Sequence, residues 1–247
     1  TYATALEAAQ LPLPPQSEDD PAAFREQVCR VPVPETTRRE IATAYAYLGA
    51  GPVAVRSSAT AEDLPGATFA GQQDSFLNVI GEQQLIDAIR QCWASLWTGR
   101  AVAYRRRRRI EPSEVRIAVV VQTMVPADAA GVMFTANPIT GARDQTVVDA
   151  SSGLGEAGAV TPDHYVLDAD GRLLEFSLGR RELAVVGRAG GGVEQRSGGV
   201  AERLLSDDTL AALMALGSGV FRHFGQPQDI EWALSDGQLG LLSGVVA

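Results

Sequence analysis

Lysine is missing altogether: all 21 basic residues among the 247 are arginine. That absence excludes a phosphate loop of the G-x-x-x-x-G-K-[ST] type, a Schiff-base lysine, and any kinase scheme that draws a lysine from this chain. Cysteine is nearly missing. Cys29 and Cys92 stand too far apart for a zinc knuckle and suit a reducing compartment better than a disulfide framework. Two histidines, His164 and His223, are too few for a multi-histidine metal centre, and each reads as an ordinary structural or surface residue. Long apolar runs are also absent. Nothing approaches the roughly 20 residues of a membrane span, and no basic segment leads into an apolar core at the start. A soluble, cytoplasmic protein with no membrane partner is therefore expected.

What is present sets further bounds. Thirty acidic residues against 21 basic give a net charge of −9, which leaves no general footprint for nucleic acid. The five consecutive arginines Arg105–Arg109 end a helical stretch, where cations are favoured by the helix dipole, and they read as a solvated helix end. At 45% apolar content the chain can bury a core of one large or two small domains. The opening Thr-Tyr-Ala-Thr-Ala-Leu reads as the inside of a helix, so a piece of a longer polypeptide is expected.

Pattern and punctuation predict the elements. Helices are expected at 2–11, at 21–30 and from Pro34 to Leu48, the last two set off by proline and glycine. A strand starts at Val53 and runs into Arg56-Ser57-Ser58, followed by a small-residue loop over 62–73 and a strand at Phe76–Val79. Apolar residues recur at helical spacing from Glu82 to Arg109, with a break expected near Gly99. Thereafter the chain reads mainly as β: Val115–Val125, Gly131–Thr135, Thr146–Ala150, a hairpin turning at 168–171, a glycine-heavy mobile loop over 187–199, and a hairpin turning at Ser235-Asp236-Gly237. One more helix is expected at 207–224.

Three places suit phosphate chemistry. Arg56 puts a planar five-donor cation at the end of a buried strand beside two hydroxyls, although pairing with Glu62 or Asp63 is equally compatible with the sequence. The loop Gly66–Gln73 has glycines that let backbone amides approach an anion. Asp229 and Glu231 alternate with Ile230 and Trp232, so both carboxylates fall on one strand face, where they suit Mg²⁺ or simply solvent. The turn Ser151–Glu156 is functional or merely tight.

Taken together, Val53–Pro65, Phe69–Gln73, Cys92–Leu96, Gly131–Pro138, Ser152–Glu156 and Asp229–Trp232 resemble, in order, the nucleotide-binding domain of the phosphoenolpyruvate synthase and pyruvate, phosphate dikinase family, and especially its antibiotic-modifying branch, the rifampicin phosphotransferases. The likeness runs from Pro52 to Leu242. It implies an α+β fold of ATP-grasp type, two-lobed with mainly antiparallel sheets. Residues 1–51 then form the helical part of an incomplete first lobe and 52–247 the ATP-grasp core. It also implies ATP held with Mg²⁺ between the lobes, and a phosphoryl group passed to a histidine on a separate swivelling domain, then to a small-molecule acceptor bound by a substrate domain. Position by position, Arg56 looks like the catalytic arginine on the phosphates, Gly71 and Ser75 like parts of the covering loop, Gln122 like a nucleotide contact and Glu231 like the Mg²⁺ ligand.

Departures from the family leave a second class of function open. The family's N-terminal glycine-rich lysine is absent, and its Gln-x-Arg after the acidic strand is here Ser243 and Val245. The alternative is a degenerate stand-alone module with a binding or regulatory role and no catalysis. On either reading this chain alone is expected to be inactive.

Overall fold

Two helices open the described part of the chain because caps and prolines define their ends. The computed structural model describes residues 20–59, 75–110, 115, 117–155, 161–180, 183–197 and 202–246. The expected helix at 2–11 and the loop over 62–73 lie outside them. Helix α1 spans Pro21–Arg30, with Asp20 accepting from the Ala23 amide at 3.0 Å and proline in the first turn. Helix α2 spans Glu35–Tyr47; Pro34 caps it instead of entering its first turn.

Strands β1 (Val53–Ala59), β2 (Ser75–Val79) and β3 (Ile117–Thr123) form an antiparallel sheet in the order β2-β1-β3. Between β2 and β3 the expected long helix is two. Helix α3 (Glu82–Ala94) stops where a 3-10 turn at Ser95–Trp97 begins, and Thr98 leaves the helical region to cap α4 (Gly99–Arg108) by accepting from Ala101. Phe24, Val28, Val53, Val55, Leu85, Ile89, Trp93 and Trp97 make one core.

The arginine run needs correcting at its first member. Arg105 is 2% exposed and donates from Nη1 to the Leu96 carbonyl at 2.5 Å, so it ties α4 to the 3-10 turn, while Arg106–Arg109 are exposed. Its position in the sequence gave no sign of this. Only the break between the two helices at Ser95–Thr98 brings a carbonyl to it.

Six further strands form a second antiparallel sheet in the order β11-β10-β4-β5-β6-β7: β4 (Ala129–Phe134), β5 (Gln145–Ser152), β6 (Asp163–Asp168), β7 (Leu173–Ser177), β10 (Gln228–Ser235) and β11 (Gln238–Val246). Helix α5 (Asp207–Phe224) is capped by Ser206 and ends at Gly225 in the left-handed region. Leu210 and Leu213 of that helix share a core with Met133, Val148, Tyr165, Ile230 and Trp232, each fully buried large apolar side chain contributing about 1.5–3 kcal/mol. The glycine-heavy stretch expected to be a mobile loop is instead mostly a hairpin, β8 (Leu183–Gly187) paired with β9 (Val193–Ser197). Its turn takes up Gly190, Gly191 and Gly192, while Gly198 and Gly199 lie outside the described residues.

The architecture is thus α+β with mainly antiparallel sheets, of ATP-grasp-like type. The chain divides into one unit of Thr1–Met124 with Ala189–Gly192 and another of Val125–Arg188 with Val193–Ala247. Within the first, Asn78 sits at φ 55°, and its Nδ2 donates to Gly192 O at 2.7 Å while Gly192 N returns a bond of 2.8 Å to Asn78 O. The β1/β2 register shift lies between the Val53–Val79 and Val55–Phe76 pairs, the stretch that includes Asn78. No helix among the described residues is long and apolar enough to cross a membrane.

Candidate nucleotide site

In the first unit the pairing register decides which side chains meet. Arg56 on the central strand lies directly opposite Ser75 of β2 and Val120 of β3, and Gln122 lies opposite Ala54, two residues along. Directly opposed residues of antiparallel strands point to the same face. Arg56, Ser75 and Gln122 therefore share one face of a single sheet, while Val53, Val55, Val119 and Val121 pack into the core from the other. Ser75 is exposed and opens strand β2, paired with Arg56, instead of lying in a covering loop as expected; Arg56 and Gln122 are half-buried. A guanidinium, a hydroxyl and a carboxamide on a pinned backbone offer hydrogen-bond donors to an anion without needing a loop to order first.

Two sequence expectations about this face change or fall outside view. Ser57 does not join Arg56, because strand alternation turns it toward the Val53 and Val55 side, where its Oγ is buried and has no hydrogen-bond partner among the described residues. Gly71 lies outside the described residues, as do Glu62 and Asp63.

In the second unit the acidic strand behaves as its alternation suggests. Ile230 and Trp232 are fully buried, and Asp229 and Glu231 occupy the opposite face. Glu231 is flanked by Val132 on β4 and Ser243 on β11, and Asp229 by Phe134 and Val245. Asp229 Oδ1 is buried with no hydrogen-bond partner among the described residues, and desolvation raises its pKa above the ordinary 3.8. Burial thus favours the protonated form, so the native state holds this proton to higher pH than the unfolded chain does. Its contribution to stability is full below the unfolded value and is lost as pH rises through the folded one. Asp229→Asn should accordingly gain stability relative to the native protein on going from pH 4 to pH 7. Urea unfolding at the two pH values reads this, and an unchanged difference between the two proteins would contradict it.

The donor set suits Mg²⁺. Among the described residues no three His, Cys, Asp or Glu side chains gather as a metal cage. Magnesium usually takes one or two carboxylates and completes its octahedron with water and substrate phosphates. Two carboxylates on one strand face, one with a buried unpaired oxygen, meet that requirement.

The neighbouring sequence motifs hold this strand in place. Asn137 Oδ1 accepts from the amides of Ile139 and Thr140, and its Nδ2 donates to Gln145, which closes the turn from β4 to β5. Thr135 Oγ1 accepts from the Gln228 amide at 2.8 Å at the entry to β10. The Ser151–Glu156 turn is a tight one over its described part: Gly153 has φ 74°, and a Cβ there would lie 2.2 Å from Val185 O.

One pair escaped the sequence reading. His164 Nδ1 lies 2.7 Å from Asp149 Oδ1 across β5 and β6. Neither residue stands out locally, and only the long-range pairing of the strands exposes the dyad.

Comparison with known proteins bears on this geometry. Residues 13–243 match the family model described as pyruvate phosphate dikinase, AMP/ATP-binding domain. A probable phosphoenolpyruvate synthase of Methanothermobacter thermautotrophicus is 48% identical over 200 residues, covering 77% of this chain and 28% of the relative. Its counterpart in Pyrococcus abyssi is 40% identical over 245 residues, 91% of this chain and 30% of the relative. A rifampicin phosphotransferase of a Streptomyces species is 43% identical over 224 residues, 87% and 26% respectively. The chain spans less than a third of the length of each of these relatives.

Proposed function

The chain belongs to the pyruvate phosphate dikinase AMP/ATP-binding domain family, and from that membership we propose that it is the ATP-binding portion of a larger dikinase-type phosphotransferase. In this reading ATP is cleaved and a phosphoryl group passes through a histidine on a separate domain to a small-molecule acceptor such as pyruvate or a rifamycin antibiotic. The observation that supports it most is the shared face of Arg56, Ser75 and Gln122, since a family resemblance alone need not bring three such residues into adjacent register.

Each residue has a role that phosphoryl transfer demands. That chemistry rests on positioning and charge neutralisation more than on covalent steps. Arg56 is the fixed cation on the phosphate chain and Ser75 a hydroxyl donor to it. Gln122 contacts the nucleotide through its amide, and Gly71 belongs to the loop that covers the phosphates. Glu231, with Asp229 beside it, holds Mg²⁺, which when bound neutralises phosphate charge.

Calorimetry with ATP, in the presence and absence of Mg²⁺, tests the reading. Binding is expected to be weak, because the chain has no lysine and has valine at 245, and to strengthen with Mg²⁺. Glu231→Gln should remove most of that strengthening, about tenfold in affinity, and leave metal-free binding unchanged. Affinity indifferent to both Mg²⁺ and the substitution would remove Glu231 from the site.

The second reading, a binding or regulatory module without catalysis, draws on the same register. Ser243 and Val245 stand directly opposite Glu231 and Asp229, where a longer amide and a cation would otherwise complete a phosphate site. Nucleotide binding without any ATP turnover in the complete polypeptide would favour this module.

A further inference from the structure

Glu231, Val132, Asp149 and His164 form one cross-strand row over β10, β4, β5 and β6. The dyad therefore shares the sheet face that carries Asp229 and Glu231. Both of its side chains are partly accessible, His164 at 29% and Asp149 at 33%. A carboxylate only accepts, so the proton between them belongs to Nδ1, and in its neutral form the imidazole presents a lone pair at Nε2. Among the described residues neither Nε2 nor the second carboxylate oxygen has a hydrogen-bond partner.

Charge and spacing together say what such a pair accepts. His164 is the only basic residue on the six strands; Asp149, Asp168, Glu175, Asp229 and Glu231 share its face, whereas Asp163 is buried on the other, where it accepts from the Tyr165 hydroxyl and the Gly179 and Leu204 amides. Outward-facing acceptors on an acidic face repel phosphate oxygens and suit N–H or O–H donors. Three strand-to-strand steps separate Glu231 from His164, about 14 Å at the usual spacing. That is longer than a triphosphate chain and within reach of the nucleoside attached to it.

We infer that Asp149 and His164 read the donor groups of the nucleoside, a ribose hydroxyl or the amino group of the base. Asp149 is a positioning residue that fixes the imidazole tautomer, and Nε2 makes the contact. This rests on Glu231 holding the metal-bridged phosphates, as proposed above.

The test uses the whole chain and four Mg²⁺-loaded probes: ATP, 2′-deoxy-ATP, inosine triphosphate and inorganic tripolyphosphate. His164→Ala is expected to weaken ATP about tenfold, the worth of one good hydrogen bond, and to leave tripolyphosphate unchanged. His164→Gln, which keeps an acceptor, should restore part of the loss. The source of the donor shows as the analogue, deoxy or inosine, that already binds weakly to the native chain and ignores His164→Ala. Equal losses for ATP and tripolyphosphate, or no loss for either, overturn the inference and leave the Glu231 reading standing. Failure of the native chain to bind any probe overturns both. Should the variants misfold, ¹⁵N spectra of the native imidazoles decide, with His223 as the internal control. MgATP should move the His164 Nε2 resonance alone, and an unmoved signal under saturating ATP rejects the contact.

Discussion

Gly131→Ala is expected to cost the second unit a large share of its stability, about 3–5 kcal/mol against the roughly 5–15 kcal/mol typical of a native domain. A Cβ on Gly131 would lie 1.8 Å from the backbone oxygen of Asp149 and 3.0 Å from Cζ2 of Trp232. The first contact is with main chain in the neighbouring strand, so no side-chain rotation relieves it. β4 and β5 must separate at this point, and the buried Trp232 beside them must give as well. Chemical denaturation followed by far-ultraviolet circular dichroism measures the loss, and hydrogen exchange should show protection falling first in β4, β5 and β10. A midpoint equal to that of the native protein would mean that the strands do not approach this closely in solution.

The second large effect concerns Arg56. Arg56→Ala should lower MgATP affinity by about a hundredfold, since a guanidinium on a phosphate chain forms charge-assisted and often bidentate hydrogen bonds. Arg56→Lys should recover only part of this, because a point charge replaces a planar fork. Arg56 lies on the face opposite the buried Val53 and Val55, so the thermal midpoint of Arg56→Lys should stay within a few degrees of native. That separates a lost contact from a lost fold. Unaltered affinity in Arg56→Ala would take this residue out of the phosphate site.

How much of this was legible beforehand depends on the range of the interaction. The turn at Ser235-Asp236-Gly237 was readable because Asp236 and Gly237 both adopt positive φ, as a tight hairpin requires. The split of Asp229 and Glu231 from Ile230 and Trp232 was readable because strand alternation has period two and one face is apolar. The break in the long helix was visible only roughly, at Gly99, since the residues that make it are Ser95, which bonds back to Cys92 O, and Thr98, which caps the next helix. What could not be read was pairing between distant segments. The burial of Arg105 and the meeting of Asp149 with His164 both depend on which strand or turn lies alongside. The stretch over 187–199 misled for a related reason: glycines signal a turn, but not that the flanking residues pair.

The register of the last strand carries a consequence for how this polypeptide could be re-engineered. Positions 243 and 245 stand beside Glu231 and Asp229 with no residue between them, so each is a dial on its own acid. An arginine grafted at 245 would set a permanent positive charge against a carboxyl group that burial now keeps reluctant to ionise, drawing its titration back toward acid pH. Two of the departures from the family could be reversed on alternate rungs of one ladder, with only the Ile230–Gly244 pair between them, while a lysine would have to be placed elsewhere.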